Sequence, residues 1–260
     1  MLFRSQKPAS GYSQISGPGR GPGPRLMDFG LLRLHAGDTH RFAPGQERAL
    51  LVLSGEIEFA WAGKTATASR TSLFDQGPWC LHLPSDVEAT VAARGGDAEI
   101  SVHSTENTRP FPARLYSPED SRTEERGKGT MGETSTRIIR TILEDPGASH
   151  SNLVLGEVVT FPGKWSSYPP HHHPHPEIYH YRFQPADGFG FAGIGDEAFV
   201  VHNGDTIFIP PGAVHPQAAA PGYAMYYIWV IRHLDGNRYG TPTFVPEHRW
   251  VMDPKARIWP

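Results

Sequence analysis

The chain has 260 residues, a formal net charge of −3 with histidine neutral, and one cysteine, Cys80. This charge gives no general attraction to nucleic acid or acidic membranes, and a single thiol excludes an intramolecular disulfide framework and a cysteine-based zinc cluster. No apolar run is long enough to cross a bilayer, and no secretory h-region lies near the first residues. The sequence therefore predicts a cytoplasmic protein without nucleic-acid or membrane partners.

The first 27 residues are predicted to form a flexible arm. They include the stretch GPGRGPGP, in which alternating glycine and proline deny the backbone both a helix and a strand ladder. We therefore expect the arm, residues 1–27, to carry none of the core chemistry. Its removal is expected to leave the melting temperature nearly unchanged.

Residues 28–104 predict an all-β unit. Short apolar runs such as FGLLRL, EATVAA and AEISVHS alternate with glycine, proline and charged residues, a spacing typical of an antiparallel sandwich or barrel. Cys80 is interpreted as a buried strand residue. This half is predicted to lack a metal site, because its histidines occur singly, as solvated or core-edge residues. They are His35, His40, His82 and His103.

A polar segment separates this half from a second β-rich half. Residues 105–136 are rich in charge, glycine and proline and poor in aliphatic residues, which predicts a linker. From 137 to 260 the β pattern resumes in runs such as RIIRTIL, NLVLGEVVTF and AMYYIWVI. Apolar strands end in a glycine followed by an acid at both Gly55 and Gly204, and this echo favours two similarly built halves.

The densest histidine stretch is PPHHHPHPE, residues 169–177. In an extended strand side chains alternate between faces, so every second residue from His171 to Glu177 shares one phase while His172 points the other way. Pro174 and Pro176, which lie between the first histidines and Glu177, cannot donate ladder hydrogen bonds. The chain is therefore expected to turn before the glutamate, with His175 on the turn.

A second motif downstream offers one more ligand. Residues 204–215 follow the pattern G-x5-P-x-G-x-x-H, which reads as a strand, a tight turn and then His215. Together with the HxHxxxE pattern of His171, His173 and Glu177, it resembles the paired metal motifs of the cupins. The predicted fold class is accordingly all-β with two tandem cupin domains, each a double-stranded β-helix or jelly roll.

Neutral imidazoles and a carboxylate suit a divalent first-row ion and leave positions open for substrate oxygens. Such an ion can polarise a carbonyl and stabilise an enediolate. Zinc, manganese, nickel and iron all accept this ligand set, so the sequence leaves the metal open. The alternative is a histidine-rich surface turn that binds metal adventitiously, which would make the distant His215 motif a coincidence.

Longer phrases narrow the resemblance to the 5-deoxyglucuronate isomerase family of inositol breakdown. The most distinctive is GEVVTFPGKWSSYPPH, and shorter ones are ERG, SRTSLF, GFGF and APGYAMYY, at residues 156–171, 125–127, 69–74, 188–191 and 220–227. Members are bicupins similar to the uronate isomerases of pectin breakdown. Two departures from the family pattern are His172 in place of a lysine and a shorter connection to Glu177.

This resemblance implies a reaction and a ligand set. The substrate would be the sugar acid 5-deoxy-D-glucuronate, and the product would be 5-dehydro-2-deoxy-D-gluconate in myo-inositol degradation. The C1 carbonyl and C2 hydroxyl oxygens would bind the metal while a base moves the C2 proton to C1. The implied ligands are His171, His173, Glu177 and His215.

Candidate catalytic residues share the strand phase of Glu177. Tyr179 and Tyr181 follow it at alternate positions and could face the cavity as acids or oxyanion donors, although tyrosines there commonly fill a core. Glu177 itself is a candidate base unless it is consumed as a ligand. The sequence does not assign the base.

The substrate carboxylate calls for a cation. Lys164, Arg232 and Arg238 are candidates, since an arginine can bind a carboxylate through two hydrogen bonds, although each such residue is more often a surface charge. Trp165, beside the ligand segment, either walls the sugar pocket or packs between sheets.

Other readings stay open. The site would also suit another cupin enzyme, either an isomerase of a different uronate or an iron dioxygenase, and activity without oxygen would separate these. A non-catalytic sugar-binding cupin that acts as a regulator would need a DNA-binding unit, and no helix-turn-helix pattern is present. Association into a homo-oligomer is compatible with exposed sheet edges.

Overall fold

The structure is a computed structural model that describes residues 1–5, 9–17 and 26–259. Strands dominate these residues, and the chain forms two compact units. The N-terminal unit consists of Lys7–Arg122 and Ile142–Val154, and the C-terminal unit consists of Met1–Gln6, Thr123–Thr141 and Leu155–Pro260. In the described residues, no helix combines the length and the apolar character needed to span a membrane.

In chain order, the first strands are β1 (Leu2–Phe3), β2 (Gly11–Ser16), β3 (Met27–Leu34), β4 (Thr39–Phe42), β5 (Glu47–Trp61), β6 (Lys64–Arg70), β7 (Cys80–Leu83), β8 (Ala89–Ala93), β9 (Ala98–Thr105) and β10 (Arg114–Tyr116). They are followed by β11 (Arg122–Arg126), β12 (Arg137–Leu143), β13 (Leu153–Thr160), β14 (Trp165–Ser166), β15 (His171–His172), β16 (Glu177–Gln184), β17 (Phe189–Ile194), β18 (Glu197–His202), β19 (Thr206–Ile209), β20 (Gln217–Ala219), β21 (Ala224–Arg232) and β22 (Thr243–Phe244). Short 3-10 helices lie at Pro118–Asp120, Met131–Glu133 and Pro246–Met252.

The N-terminal unit is built around the long strand β5. Its sheet follows the order β10-β7-β5-β9-β3-β2, while β6 and β8 pair with the second half of β5 and β4 pairs with β8. Leu50 and Val52 of β5 point to the same side as Leu32, Leu81 and Ile100 of the neighbouring strands, because successive side chains alternate between faces. The result is an interior filled with apolar side chains.

Two histidines of this unit are buried rather than solvated. His82 and His103 are 1% and 0% exposed, so the expectation of solvated or core-edge residues is wrong for both. His82 Nε2 lies 2.8 Å from Glu47 Oε1. The same carboxylate accepts three further hydrogen bonds, from Asn107 Nδ2 (2.7 Å), Ser151 Oγ (2.5 Å) and Asn152 N (2.9 Å). Burial of the Glu47 carboxylate is tolerated because both of its oxygens have hydrogen-bond partners.

The first residues are not a flexible arm where the structure describes them. β1 pairs antiparallel with β19, with Leu2 opposite Ile207, and β2 pairs antiparallel with β3. The terminal amino group also donates a hydrogen bond to the carbonyl oxygen of Phe208 (2.8 Å). The prediction fails here because these residues find unpaired strand edges to join. The GPGRGPGP stretch, apart from Gly17, lies outside the described residues.

The segment predicted as a linker, residues 105–136, contains ordered elements. β10 pairs with β7, and β11 forms an edge of the C-terminal sheet. Boundaries between the two units fall within β11, β12 and β13, so that Ile142–Val154 belongs to the N-terminal unit. The pattern of charge and glycine therefore missed short strands whose hydrogen bonds form with distant parts of the chain.

The C-terminal unit contains a seven-stranded sheet in the order β1-β19-β16-β21-β13-β12-β11 and a four-stranded sheet in the order β14-β20-β17-β18. A further pair joins β15 and β22. The inward positions of the larger sheet carry Ile139, Val158, Tyr179, Tyr181 and Tyr227, which pack with residues of the smaller sheet. This interior is more polar than the N-terminal one, since phenol groups take the place of aliphatic side chains.

Candidate metal centre

Glu177 occupies a central place in the C-terminal unit. It begins β16 and pairs with Ile209 of β19 on one side and Ile231 of β21 on the other. Strand alternation puts Glu177 on the inward face with Tyr179 and Tyr181. A strand with two paired neighbours is a rigid support for a side chain that must keep one position.

Three of the predicted ligands meet inside this unit. His173 Nε2 lies 3.1 Å and His215 Nε2 lies 3.2 Å from the same oxygen, Oε2 of Glu177. One ligand atom from each residue falls within 4.8 Å of the others, and all three side chains are buried. Apart from this contact with Glu177, His215 Nε2 has no partner in the described residues.

His171 borders the three-residue cluster without belonging to it. It lies on β15, paired with Phe244 of β22, and is partly exposed. Its ring is edge-on to the ring of His215, with the two centroids 4.7 Å apart. The structure therefore brings His173, Glu177 and His215 together and places the fourth predicted ligand beside them.

Backbone carbonyls orient all three imidazoles in the same way. The Nδ1 atoms of His171, His173 and His215 face the carbonyl oxygens of Pro169 (3.2 Å), His175 (3.1 Å) and Ala213 (2.9 Å). A carbonyl oxygen can only accept, so each Nδ1 carries a proton, and in the neutral imidazole this leaves the lone pair for a metal ion on Nε2. Neutral imidazoles with this second contact are the usual form of histidine metal ligands. The donor set fits a divalent ion.

The remaining histidines of the cluster have other contacts. His175 Nε2 lies 2.7 Å from the carbonyl oxygen of Asn237, and the His175 carbonyl faces His173 as described above. His172 pairs with Thr243 in the short β15–β22 ladder and is partly exposed. His175 thus positions a ligand, and the structure places neither residue in the three-residue cluster.

At Glu177 and His171 the electrostatics favour the protonation states that bind metal. Burial alone would raise the pKa of Glu177, but contact with His173 and His215 outweighs it and lowers the pKa to about 2. Burial and the neighbouring His215 lower the pKa of His171 to about 4. At neutral pH the carboxyl group is therefore ionised and His171 is neutral.

A group of hydroxyls borders the ligands. Tyr179, whose ring centroid is 5.9 Å from that of His215, has its hydroxyl 3.0 Å from Ser167 Oγ. The Tyr227 hydroxyl lies 2.5 Å from Ser166 Oγ and 3.4 Å from Ser167 Oγ. Ser167 adopts a positive φ of 49°, which is uncommon for a residue with a Cβ atom. Such strain at a buried polar site is typical of functional segments.

Comparison with known proteins assigns the chain. Residues 4–251 match the model of the KduI/IolB family. The chain belongs to this family. A relative from Geobacillus thermodenitrificans named 5-deoxy-glucuronate isomerase is 33% identical over 253 residues, which cover 88% of this chain and 87% of the relative.

Solved structures agree with the KduI/IolB assignment. An IolB-like protein from Salmonella typhimurium LT2 superimposes with a TM-score of 0.85 and 28% identity, covering 97% of this chain and 100% of that chain. A cupin 2 conserved barrel domain protein from Leptotrichia buccalis matches with a TM-score of 0.53 and 15% identity over 88% of this chain and 92% of that chain, which shows the fold alone. The prediction of an all-β cupin protein is confirmed.

The predicted substrate residues of this KduI/IolB protein have separate locations. Lys164 is partly exposed and Trp165 is 44% exposed, with the Trp165 ring 5.7 Å from the ring of Tyr168. Arg238 is partly buried and directly precedes Tyr239, whose ring lies 5.0 Å from the ring of His173. Of these three, Arg238 therefore has the clearest connection to the metal centre.

Tyr181 differs from Tyr179 in its contacts. Its hydroxyl donates a hydrogen bond to Gln217 Oε1 (2.7 Å), and Gln217 Nε2 donates to the His215 carbonyl (2.8 Å). The sequence did not predict Gln217 or the hydroxyls of Ser166, Ser167 and Tyr227. The phrase WSSYPPH contained a usable signal, since two serines between aromatic residues are poor candidates for a strand core.

Proposed function

We propose that this KduI/IolB-family protein is a divalent-metal-dependent aldose–ketose isomerase that converts 5-deoxy-D-glucuronate into 5-dehydro-2-deoxy-D-gluconate. The observation that carries the proposal is the donor set of His173, Glu177 and His215, with His171 beside it, on a chain related to a protein named 5-deoxy-glucuronate isomerase. The substrate is a small sugar acid, and an isomerisation needs no second substrate.

The four proposed ligands hold the ion. When bound, a divalent ion supplies Lewis acidity that polarises a carbonyl and stabilises negative charge on adjacent oxygens. Glu177 contributes the only carboxylate of the set, and the three imidazoles present Nε2 lone pairs fixed by backbone carbonyls. Glu177 Oε2 is in contact with both His173 and His215. We therefore assign Glu177 the role of a metal ligand rather than that of the catalytic base.

Tyr179 is the proposed hydrogen-bond donor to the substrate. Burial and the negative charge of Glu177 raise its pKa well above the ordinary value, so the phenol stays protonated at neutral pH. A neutral phenol can donate a hydrogen bond to an oxygen that gains negative charge during enolisation. Ser167 holds this hydroxyl in place. Tyr181, by contrast, supports His215 through Gln217 and is proposed to act on ligand position.

The outer residues are proposed to contact the polar parts of the sugar acid. Arg238 is next to Tyr239, whose ring packs against His173, and this supports a place for Arg238 near the proposed ligands. Lys164 and Trp165 directly precede Ser166 and Ser167 in the chain, and Trp165 exposes nearly half of its surface. An exposed indole beside a sugar site can stack on the sugar ring.

Conversion of 5-deoxy-D-glucuronate can be followed by proton NMR under nitrogen. With metal-loaded protein, the C1 proton signal of the aldose is expected to decrease while signals of the ketose appear. Chelator-treated protein is expected to be inactive until metal is restored. The nitrogen atmosphere is chosen because an iron dioxygenase would be silent without oxygen. No conversion by protein with stoichiometric metal would refute the substrate assignment.

A matched pair of variants links activity to the site. His215→Ala removes a proposed ligand, whereas His172→Ala removes a histidine outside the cluster. The first is expected to lose activity and the second to keep most of it. Equal activity of both variants would contradict the proposed ligand set.

A further inference from the structure

Arg137 is a buried arginine inside the C-terminal unit. It begins β12 and shares its inward face with Ile139, which packs against Tyr179 and Tyr227. Only 4% of its surface is exposed. A guanidinium in such a position normally pairs with a carboxylate, because burial of an unpaired charge is unfavourable.

The hydrogen bonds of Arg137 go to neutral acceptors. Nη1 donates to the carbonyl oxygen of Ser135 (2.6 Å), and Nη2 donates to that of Tyr168 (3.2 Å). On the adjoining strand β11, Glu124 is paired with Arg126 (2.6 Å). Within the described part of the chain, the Arg137 guanidinium forms no ion pair with a carboxylate. Its positive charge is therefore available to an anion from outside.

Thr160 adds an unused hydroxyl next to this cation. The hydrogen bond from Phe161 N to the Thr136 carbonyl (3.4 Å) extends the ladder between β12 and β13, which puts Thr160 opposite Arg137. Thr160 is fully buried, and its Oγ1 has no hydrogen-bond partner. An unsatisfied hydroxyl beside a guanidinium without a counterion indicates a place prepared for a polar ligand.

Arg137 and Thr160 are connected to the proposed metal centre through the turn at Ser167 and Tyr168. The carbonyl that accepts from Arg137 belongs to Tyr168, and the preceding residue, Ser167, has its Oγ 3.0 Å from the hydroxyl of Tyr179. Tyr179 in turn lies against His215. A ligand that reaches from the metal centre past these hydroxyls would meet Arg137.

We propose that Arg137 and Thr160 form the subsite for the carboxylate end of the sugar acid. This inference rests on the proposed function and names the group that selects acids over neutral sugars. An arginine can bind a carboxylate through two parallel hydrogen bonds, and the threonine hydroxyl can donate a third. The metal centre then receives the opposite, carbonyl end of the substrate.

Thr160→Val tests the subsite with little change in shape. The variant is expected to keep its metal content and to melt at the same or a higher temperature, because an unsatisfied buried hydroxyl is removed. The KM for 5-deoxy-D-glucuronate is expected to rise by about tenfold, the equivalent of one hydrogen bond to a charged group, with kcat changed less than KM. An unchanged KM would overturn the role of Thr160.

Thr105→Val is the matched control. Its hydroxyl lies in the N-terminal unit and donates to the Leu26 carbonyl (2.7 Å). Loss of this satisfied hydrogen bond is expected to lower the melting temperature and leave the KM unchanged. The two threonines should thus show opposite patterns of stability and KM.

Arg137→Lys tests charge recognition independently of turnover. Calorimetry on metal-loaded protein would compare D-gluconate, an acid, with D-glucitol, a neutral polyol of the same carbon count. The wild-type protein is expected to prefer gluconate, and the variant is expected to lose at least about tenfold in gluconate affinity with glucitol unaffected. Equal losses for both probes, or no preference in the wild-type protein, would overturn the proposal and leave Arg137 as a brace for the Ser167 turn.

The binding assay separates this proposal from the proposed function. If the wild-type protein fails to isomerise 5-deoxy-D-glucuronate but still prefers gluconate through Arg137, the subsite stands and the reaction assignment falls. If isomerisation occurs while Arg137→Lys leaves the KM and gluconate binding unchanged, the reaction stands and the subsite falls. Metal content, measured on every sample, confirms that the ligand cluster is intact in both cases.

Discussion

At the scale of single residues, His215 is the least exposed of the proposed ligands. Its Nδ1 is held by the Ala213 carbonyl, its side chain is 1% exposed, and its Nε2 has no hydrogen-bond partner. We expect His215→Ala to lower metal affinity by more than about a hundredfold, because loss of an outer partner of a ligand alone costs about 10- to 100-fold. Elemental analysis after dialysis measures the change.

His172→Ala serves as the control for that experiment. The side chain belongs to the same histidine-rich stretch but is partly exposed on β15 and lies outside the cluster. It should keep one metal per chain. Full metal retention by His215→Ala would refute the ligand assignment.

His103 provides a pH-dependent stability prediction away from the metal centre. It is fully buried beside Ser101, and burial lowers its pKa to about 3. The unfolded chain binds a proton near the ordinary histidine pKa of about 6.5. The folded state does not, so stability falls as the pH decreases from 6.5 towards 3.

Between pH 6.5 and pH 5 we expect this histidine to lower the free energy of unfolding by about 1–2 kcal/mol, because the slope rises from half of about 1.36 kcal/mol per pH unit at pH 6.5 to nearly the full value at pH 5. Urea unfolding of the wild-type protein and of His103→Gln at these two pH values tests this, since the variant should lose that share of the pH dependence. Parallel pH profiles would show that His103 does not contribute.

The local sequence identified the residues of the His173, Glu177 and His215 cluster more directly than the residues around it. His171, His173 and Glu177 stand within seven positions, so their chemistry could be recognised before the fold was known. Arg137 and Ser167 are brought together by a turn and a strand pair that join separate segments, and no local pattern specifies such pairing. A charged residue at an inward phase of an apolar strand, as in RIIRTIL, was the available signal.

At the scale of elements, strand β1 was the main feature that the sequence did not predict. Two residues of ordinary composition become a strand only because β19 offers a free edge. Arg4 Nη1 and Ser5 N then donate hydrogen bonds to the two carboxylate oxygens of Asp205, both at 2.8 Å. β19 also pairs with β16, which carries Glu177, so the first residues support the sheet that carries this proposed ligand.

Deletion of residues 2–5 is therefore expected to destabilise the protein. Loss of the β1 ladder and of the hydrogen bonds to buried Asp205 should cost about 2 kcal/mol and lower the Tm by about 4–8 °C. Arg4→Ala alone should have a small effect, because this side chain is 57% exposed and a screened ion pair contributes little. An unchanged Tm after the deletion would restore the flexible-arm interpretation.

At the scale of the whole molecule, the two units use similar strands for different interiors. Leu50, Val52 and Ile100 fill the N-terminal interior with apolar groups, whereas the C-terminal interior contains tyrosines, Arg137 and the ligand cluster. Strand spacing and turn residues predicted the all-β class because both units obey the same alternation. The boundaries of the units could not be read from composition, since Ile142–Val154 begins inside β12 and ends inside β13 and yet belongs to the N-terminal unit.

Metal removal should act on one of these units. A ligand that binds only the folded state at 100 times its Kd stabilises by about 2.7 kcal/mol, which corresponds to about 5–10 °C in Tm for a chain of this size. We expect a chelator to lower the Tm of the wild-type protein by this amount and to leave His215→Ala unchanged. Hydrogen exchange should locate the effect. Peptides covering residues 173–181 are expected to lose protection when the metal ion is removed, whereas peptides covering residues 98–105, in the N-terminal unit, are expected to keep theirs. Equal loss in both peptides would show that the ion stabilises the molecule globally, and no loss in either would contradict a structural role for the bound metal.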